Sequence, residues 1–566
     1  MGKTGVASML ATADLVSNRD RSEGGATEPL TKLFDDAVTR FPDRPATDFL
    51  GSRLTYRELG DLVTRATRGF QMLGVRKGTR VGICLPNTPY YVICYFAILK
   101  AGGIVVNFNP LYVERELANQ IEDSGAKIMV TLDLERIYPK VARALDRTGL
   151  ERIVVCSMRA ILPFPKGLLF ALFKSAELAK IPDDLRHVSF ERLTADVSPP
   201  NPVDIEALKD LAVLQYTGGT TGTPKGAMLS HANLVANVRQ MVASAPDLVA
   251  GQERALLILP LFHVFAMTVG MNFCIAIGAE IILLPRFDVA EALATIQRLK
   301  PTLFPGVPTI YTALNAAASQ GKHDLSSIRF CNSGGAPLPV EVRTRFEQLT
   351  GCKLVEGYGL TEASPGVTCN PTDGGEIKAA SVGVALPGTV IEIRSLDDPH
   401  VIMPTGEKGE VSIRGPQVML GYWNRPAETE ASFIDGALRT GDVGYLDTDG
   451  YLFLVDRIKD LILCSGYNVY PRVIEEALYQ HPAVAEAIVI GIDDAYRGQA
   501  PKAFVTLRAE KTANPEELLL FLKGYISPIE MPKLIEIRTT LPKTAVGKLD
   551  RKVLVQEEQS LKSAAA

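Results

Sequence analysis

One tryptophan, six histidines and eight scattered cysteines leave this chain poorly equipped for metal or disulfide chemistry. The cysteines, at 84, 94, 156, 274, 331, 352, 369 and 464, form no Cys-x-x-Cys pair. That argues against a disulfide framework or a zinc site and fits a reducing compartment. The histidines have no ligand spacing. The net charge is only −4, so no global basic field points to nucleic acid as a partner. No secretory leader is expected from residues 1–30, which are polar and charged apart from Val6–Leu10, too short for an apolar h-region. Two uncharged stretches, Val81–Leu99 and Ala255–Ala279, are long enough to span a bilayer. The first is broken by Pro86, Asn87 and Pro89, the second by Pro260, His263 and Asn272. They read as buried strand–turn–helix units instead.

What is present is the alternation of an α/β protein. Residues 1–27 are polar and aperiodic, which predicts a flexible N-terminus. Thr55 can cap an amphipathic helix running to Leu73. Strands are expected at Arg80–Leu85, Ile104–Asn107, Lys127–Thr131, Arg152–Cys156, Leu211–Leu214, Leu256–Leu259, Ala279–Leu284, Leu303–Pro305, Ser327–Ser333 and Leu354–Glu356, with helical patterns between several of them. This predicts mostly parallel sheets covered on both faces. From about Ser381, short alternating strands with Gly and Pro turns predict a small antiparallel sheet. Beyond Asp460 a compact α+β pattern forms a further unit of about 100 residues.

The stretch between the strand at 211–214 and Ala227 is the most informative: Tyr216-Thr217-Gly218-Gly219-Thr220-Thr221-Gly222-Thr223-Pro224-Lys225-Gly226. Four glycines let backbone N–H groups approach an anion, four threonines add hydroxyl donors, and Lys225 adds positive charge; there is no acid. This loop suits a polyphosphate. It is not a Walker A loop, because Pro224 and Gly226 flank the lysine where Gly and Ser/Thr are required. Further on, Ser333-Gly334-Gly335-Ala336-Pro337 is a strand-end turn where backbone can approach a flat ligand. Gly357-Tyr358-Gly359-Leu360-Thr361-Glu362 joins an aromatic, a hydroxyl and a carboxylate.

These motifs, followed in order by Thr440-Gly441-Asp442, Asp456-Arg457-Ile458-Lys459-Asp460, Ser465-Gly466-Tyr467-Asn468-Val469-Tyr470-Pro471 and Pro542-Lys543-Thr544-Ala545-Val546-Gly547-Lys548, resemble those of the acyl-adenylate-forming (AMP-binding) superfamily. The match covers nearly all of the chain after residue 30. Gly415–Trp423 and Ser465–Pro471 look closest to bacterial long-chain fatty acyl-CoA ligases. The resemblance implies a large AMP-binding domain, 28–458, with two doubly wound α/β subdomains and a small β subdomain. It also implies a mobile α+β C-terminal domain, 459–566, with a hinge near Lys459. It implies activation of a carboxylic acid by ATP, with Mg²⁺, to acyl-AMP and pyrophosphate, and then displacement of AMP by the thiol of CoA.

By the same resemblance, Thr217, Gly218, Gly219, Thr220, Thr221, Gly222 and Lys225 would hold phosphates. Glu362, with Thr221, would hold Mg²⁺, and Thr361 the α-phosphate. Tyr358, Gly359, Gly335, Ala336 and Pro337 would form the adenine slot. Asp442, supported by Arg457, would take the ribose hydroxyls. Lys548 would bridge carboxylate and α-phosphate, and His263 would guard the acyl entrance. Gly466 and Tyr467 would replace Lys548 for the second step. Phe262–Phe265 carries no acid to meet a substrate ammonium, which favours a simple acid over an amino acid. The expected substrate is a medium- to long-chain fatty acid. The alternatives are a dicarboxyl- or aryl-CoA ligase, a fatty acyl-AMP ligase and, more remotely, a lipid-uptake protein that binds without turnover. Family members are often dimers, so a homodimer is admissible.

Residues 136–180 differ from the rest, with nine Arg/Lys against three acids. In a helix, Leu168, Leu169, Leu172 and Phe173 would share a face with Lys166 and Lys174 outside it. This suggests a peripheral membrane contact through 160–180 on a cytoplasmic protein; the plain alternative is a helix packed on the body of the protein.

Overall fold

The computed structural model describes residues 27–217, 224–318, 321, 323–465, 467–494, 496–544 and 547–565. Its centre is a helix buried on nearly every side. Pro89–Lys100 is apolar all round, eleven of its twelve residues are buried, and Pro89 opens its first turn. A helix without a polar face must be covered on several sides. It packs against strands of two sheets, Arg80–Cys84 and Pro45–Phe49, and against helix Tyr56–Met72. That neighbour begins where the sequence predicts. Thr55 accepts from the Glu58 N–H at 3.2 Å, and Glu58 accepts from the Thr55 N–H at 2.8 Å, a reciprocal capping box.

The first sheet has seven strands, ordered His187–Ser189, Arg152–Cys156, Ile128–Leu132, Arg80–Cys84, Ile104–Asn107, Leu211–Tyr216 and Gly226–Ser230. All neighbours are parallel except the last pair, which flanks the Gly/Thr loop. The second sheet runs Ser52–Thr55, Pro45–Phe49, Glu280–Leu283 and Arg254–Leu257. Leu303 bridges Ala255 to Phe330 and continues it to Phe330–Ser333 and Lys353–Gly359.

Two expectations need correcting here. Leu303–Pro305 makes only isolated bridges, too short for a strand. The strand expected at Leu354–Glu356 runs from Lys353 to Gly359, because Gly366–Cys369 pairs antiparallel with its far end. Tyr358 therefore sits on a strand rather than on the loop after it. The uncharged Ala255–Ala279 stretch is strand Arg254–Leu257, a π-helical turn Ala266–Asn272 and helix Phe273–Ala276. Among the described residues no helix is long and apolar enough to cross a membrane.

An antiparallel sheet follows, Val390–Arg394, Gly409–Arg414, Ala437–Leu446 and Phe433–Ile434, with Leu452–Arg457 paired to the third. Then comes an α+β unit. Its sheet is Tyr467–Val469, Ile462–Cys464, Gly498–Leu507 and Val484–Asp494, with Leu534–Ile537 parallel on Gly498–Leu507. Ile462, Val469, Ile474, Leu478, Val505 and Leu518 form a core of its own. The fold is thus a large mixed α/β region with several sheets and a smaller, distinct C-terminal α+β unit, as the sequence implied.

Candidate active site

A cleft of about 3250 Å³ opens between the large region and the C-terminal unit. Its lining includes Thr217, Lys225, His263, Gly335, Ala336, Pro337, Tyr358, Gly359, Thr361, Glu362, Asp442, Arg457, Lys459 and Lys548. Residues separated by more than 300 positions therefore share one space. Gly218, Gly219, Thr220, Thr221, Gly222 and Gly466 lie outside the described residues. Tyr467 is not brought to the cleft and is 66% exposed on its strand.

The base of the Gly/Thr loop is fixed. The Thr217 N–H donates to the Lys225 carbonyl at 3.0 Å, closing the strand pair around the loop. Tyr216, just before it, donates its hydroxyl to Asp123 at 2.6 Å, and Arg425 meets the same carboxylate at 3.1 Å. The Lys225 ammonium lies over the Tyr422 ring, 4.9 Å from its centroid. The Tyr422 hydroxyl donates to Glu362 at 2.7 Å, which links the loop lysine to the carboxylate. Among the described residues no group of three His, Cys, Asp or Glu could cage a metal. Glu362 is a hard oxygen donor on the cleft wall, the kind of single carboxylate that holds Mg²⁺ together with phosphate oxygens.

A second cluster forms around Asp442. Tyr358 donates its hydroxyl to one oxygen at 2.6 Å, and the Arg457 guanidinium meets the other at 3.0 Å. The Thr440 hydroxyl accepts from the Asp442 N–H at 3.0 Å and sets the turn. The 334–337 turn, which follows a strand paired beside Lys353–Gly359, lines the same cleft. Gly335 has φ +81°, and a Cβ there would land on the Lys548 side chain. The positive φ therefore favours glycine, and a larger residue would also push the Lys548 ammonium aside. Glu356, two residues before Tyr358, accepts from the Leu338 N–H at 3.2 Å. Burial pushes its carboxyl up to about 7, with Arg472 opposing the rise.

His263 is positioned from below. Asn87 donates to the Leu259 carbonyl at 2.9 Å and accepts from the Leu261 N–H at 2.8 Å. Tyr91 donates to the Leu261 carbonyl at 2.8 Å, and Gln215 to the Phe262 carbonyl at 2.9 Å. Burial, with the Lys548 charge adding to it, pushes the imidazole down to about 3, so it is neutral near pH 7. The Phe265 N–H donates to Nδ1 at 3.3 Å, which leaves the ring proton on Nε2. Beyond His263 the cleft wall includes Met241, Ala245, Val264, Val269, Phe273 and Phe330. Residues 306–311 and 333–337 contribute several further residues to the wall. From 231–241 only Met241 does, because the helix His231–Ala243 turns most of its other residues into the core.

Lys548 arrives on a turn from the small unit. Its carbonyl accepts from the Thr544 N–H at 2.7 Å, and Thr309 of the large region donates to the Gly547 carbonyl at 2.8 Å. Burial, and then the Arg457 charge, lower its ammonium to about 8. Lys459, in the 3₁₀ turn Ile458–Asp460, is also lowered to about 8, by burial and then by Arg457.

Comparison with known proteins fits this arrangement. Residues 34–423 match the family model described as AMP-binding enzyme, and 473–548 match the AMP-binding enzyme C-terminal domain. The chain belongs to the AMP-binding enzyme family. A long-chain-fatty-acid–CoA ligase of Bacillus subtilis (strain 168) is 44% identical over 539 residues, 94% of each chain. Among solved structures, the anthranilate CoA ligase AuaEII in complex with anthranoyl-AMP superposes with a TM-score of 0.84 at 26% identity, covering 95% of this chain and 98% of that one. ATP-bound MatB from Rhodopseudomonas palustris gives 0.81 at 28% identity, covering 94% and 99%. This AMP-binding enzyme is an adenylate-forming acid–thiol ligase related to bacterial long-chain acyl-CoA ligases. Sequence reasoning missed Tyr422, Glu356 and the Asn87–Tyr91–Gln215 support. Tyr422 lies in the quoted Gly415–Trp423 phrase, but only the fold places it on Glu362.

Proposed function

We propose that the protein converts a fatty acid, ATP and CoA into acyl-CoA, AMP and pyrophosphate through an acyl-AMP intermediate. The observation that carries this reading is the meeting of Lys548, His263 and an apolar cleft wall in one space. The carboxylate oxygen attacks the α-phosphorus of ATP, and the bond to the bridging oxygen of pyrophosphate breaks. Both reactants are anions, so positive charge between them lowers the barrier. Lys548 supplies it, flanked by Arg457. The neutral His263 donates through Nε2–H and adds no competing charge. Tyr358 and the 334–337 turn sandwich the adenine, and Asp442 accepts from the ribose hydroxyls while Arg457 and Tyr358 hold it in place. Thr217, Thr361 and Lys225 meet phosphate oxygens. Glu362 would hold Mg²⁺, which neutralises phosphate charge when bound.

Met241, Ala245, Val269 and Phe273 favour an alkyl chain beyond the carboxylate. The likeness to the Bacillus subtilis ligase points the same way. Transfer to CoA requires Lys548 to leave, and the small unit pivots at Lys459 to bring Tyr467 inward. A cytoplasmic setting supplies ATP and CoA.

The test is pyrophosphate release and acyl-CoA formation on a ladder of fatty acids, with a dicarboxylate and a coumarate included. Turnover peaking on medium or long chains is expected. A peak on the dicarboxylate or coumarate keeps the mechanism and overturns the substrate; pyrophosphate without acyl-CoA overturns the CoA step.

A further inference from the structure

Residues 164–174 invert the usual burial pattern. Helix Lys166–Phe173 reads Lys-Gly-Leu-Leu-Phe-Ala-Leu-Phe, yet its only buried residue is Gly167. Phe164 is 89% exposed and Phe173 81%, while Leu168, Leu169 and Leu172 are 46%, 45% and 64% exposed. An ordinary surface helix turns such side chains to the core. This one is attached by its backbone instead. Gly167 presses on the Arg159 carbonyl so closely that a Cβ would sit 2.6 Å from it, and Lys166 donates to the Leu50 carbonyl at 2.8 Å. The attachment holds five large apolar side chains outward within ten residues.

We propose that this helix docks the protein on the surface of an anionic bilayer. Single exposed leucines need no explanation, but a contiguous cluster does. The charge around it selects the occupant. No acid occurs between Glu151 and Glu177, while Arg159, Lys166, Lys174 and Lys180 are all exposed. Lys174 is paired with Glu177 at 3.1 Å, which leaves a net excess of cations beside the apolar cluster, and that combination matches the acyl and headgroup layers of a negatively charged membrane. Eight helical residues span about 12 Å, far too short to cross a bilayer, so the helix lies in the interface with Phe164 and Phe173 as its inserted ends. The inference stands on exposure and charge, independent of which acid the cleft takes.

The test is cosedimentation of the full chain with vesicles of phosphatidylcholine alone or mixed equally with phosphatidylglycerol. Binding is expected on the mixed vesicles, weakening as salt screens the lysines. Phe164→Ser/Phe173→Ser changes only side chains in solvent and should cut the bound fraction by about ten-fold or more while octanoate turnover in solution is unchanged. Lys166→Glu/Lys174→Glu should abolish the preference for phosphatidylglycerol. Wild-type protein that stays in the supernatant overturns the proposal, as does a double serine variant that binds as well as wild type. A wild-type dimer that the serine variant breaks assigns the patch to a second copy and overturns it equally.

Discussion

The two sides of the cleft are held by different forces. On the large side, the groups that would bind nucleotide and acid sit on strand ends and turns backed by apolar side chains with almost no exposure, such as Val81, Tyr91, Phe96, Val213 and Leu257. On the small side, Lys548 rides on a short turn, and the contacts across the gap are polar. Thr309 meets the Gly547 carbonyl, and Arg508 meets Glu341 with two hydrogen bonds of 2.6 Å. Arg551 reaches Asp456 of the large region at 3.7 Å, and the Arg472 N–H donates to the same carboxylate at 2.8 Å. Apolar packing fixes geometry tightly, whereas polar contacts at a wet boundary exchange readily with water. The contrast suits a rigid binding wall and a removable catalytic group.

The sharpest way to break the comparison is Lys548→Ala. If the lysine serves one half-reaction only, pyrophosphate release should fall by roughly 10²–10³-fold, the usual cost of removing a charge-stabilising donor. Conversion of supplied acyl-AMP with CoA to acyl-CoA should hold near the wild-type rate. Equal losses in both would mean that the lysine is structural and that the small side is as fixed as the large one.

A change on the rigid wall should behave differently. Asp442→Asn removes the charge that Tyr358 and Arg457 both address. A hydrogen bond to a charged group contributes about 1.5–3 kcal/mol, so the KM for ATP should rise by about 10–100-fold. The KM for the fatty acid should stay within about two-fold, since the Asp442 cluster involves none of the apolar wall residues. A comparable rise for both substrates would count against a dedicated ribose contact.

Titration sharpens the contrast further. A lysine held at about 8 is charged below that pH and loses its proton above it. The kcat/KM for adenylation should therefore be flat from about pH 7 to 7.5 and then fall, approaching ten-fold per unit well above 8. His263, held near 3, is neutral throughout this range and adds no inflection. Lys548→Arg keeps its charge and should flatten the profile even if its absolute rate is lower. An unchanged fall in that variant would assign the titration to another group.

The degree to which this was legible in the sequence follows the same division. Most strands of the large region and the capped helix at Thr55 were readable because local periodicity and cap chemistry dictate them. The cleft residues Tyr358, Asp442 and Lys548 were nameable only through motifs, since neither spacing nor composition makes a Gly-Asp turn or a lysine near a basic tail special. Tyr422 on Glu362, Glu356 beside Tyr358 and the Asn87–Tyr91 brace were not readable. Tyr422 reaches Glu362 across 60 positions, Asn87 meets Leu259 and Leu261 across more than 170, and Glu356 meets Leu338 across 18, and no local signal marks any of them. The outward-facing helix at 166–173 was recognisable as apolar and basic, but the sequence could not tell a packed face from an exposed one. That depended on Gly167 seating the helix by its backbone.

The smallest predicted effect is the one that best tests whether the boundary is loose. Arg508 and Glu341 form a bidentate pair with side chains 37% and 62% exposed. Such pairs contribute about 0.2–1 kcal/mol, so Arg508→Ala should lower the adenylation rate by no more than about five-fold. The second half-reaction, in which the small unit must leave this position, should be unchanged or slightly faster, because the substitution destabilises only the docked arrangement. Glu341→Ala should do the same, and the double variant should add nothing to either single change. A fall in both half-reactions would mean that the pair supports the fold of the small unit. A loss far beyond five-fold would mean that the boundary is held as firmly as the wall it faces.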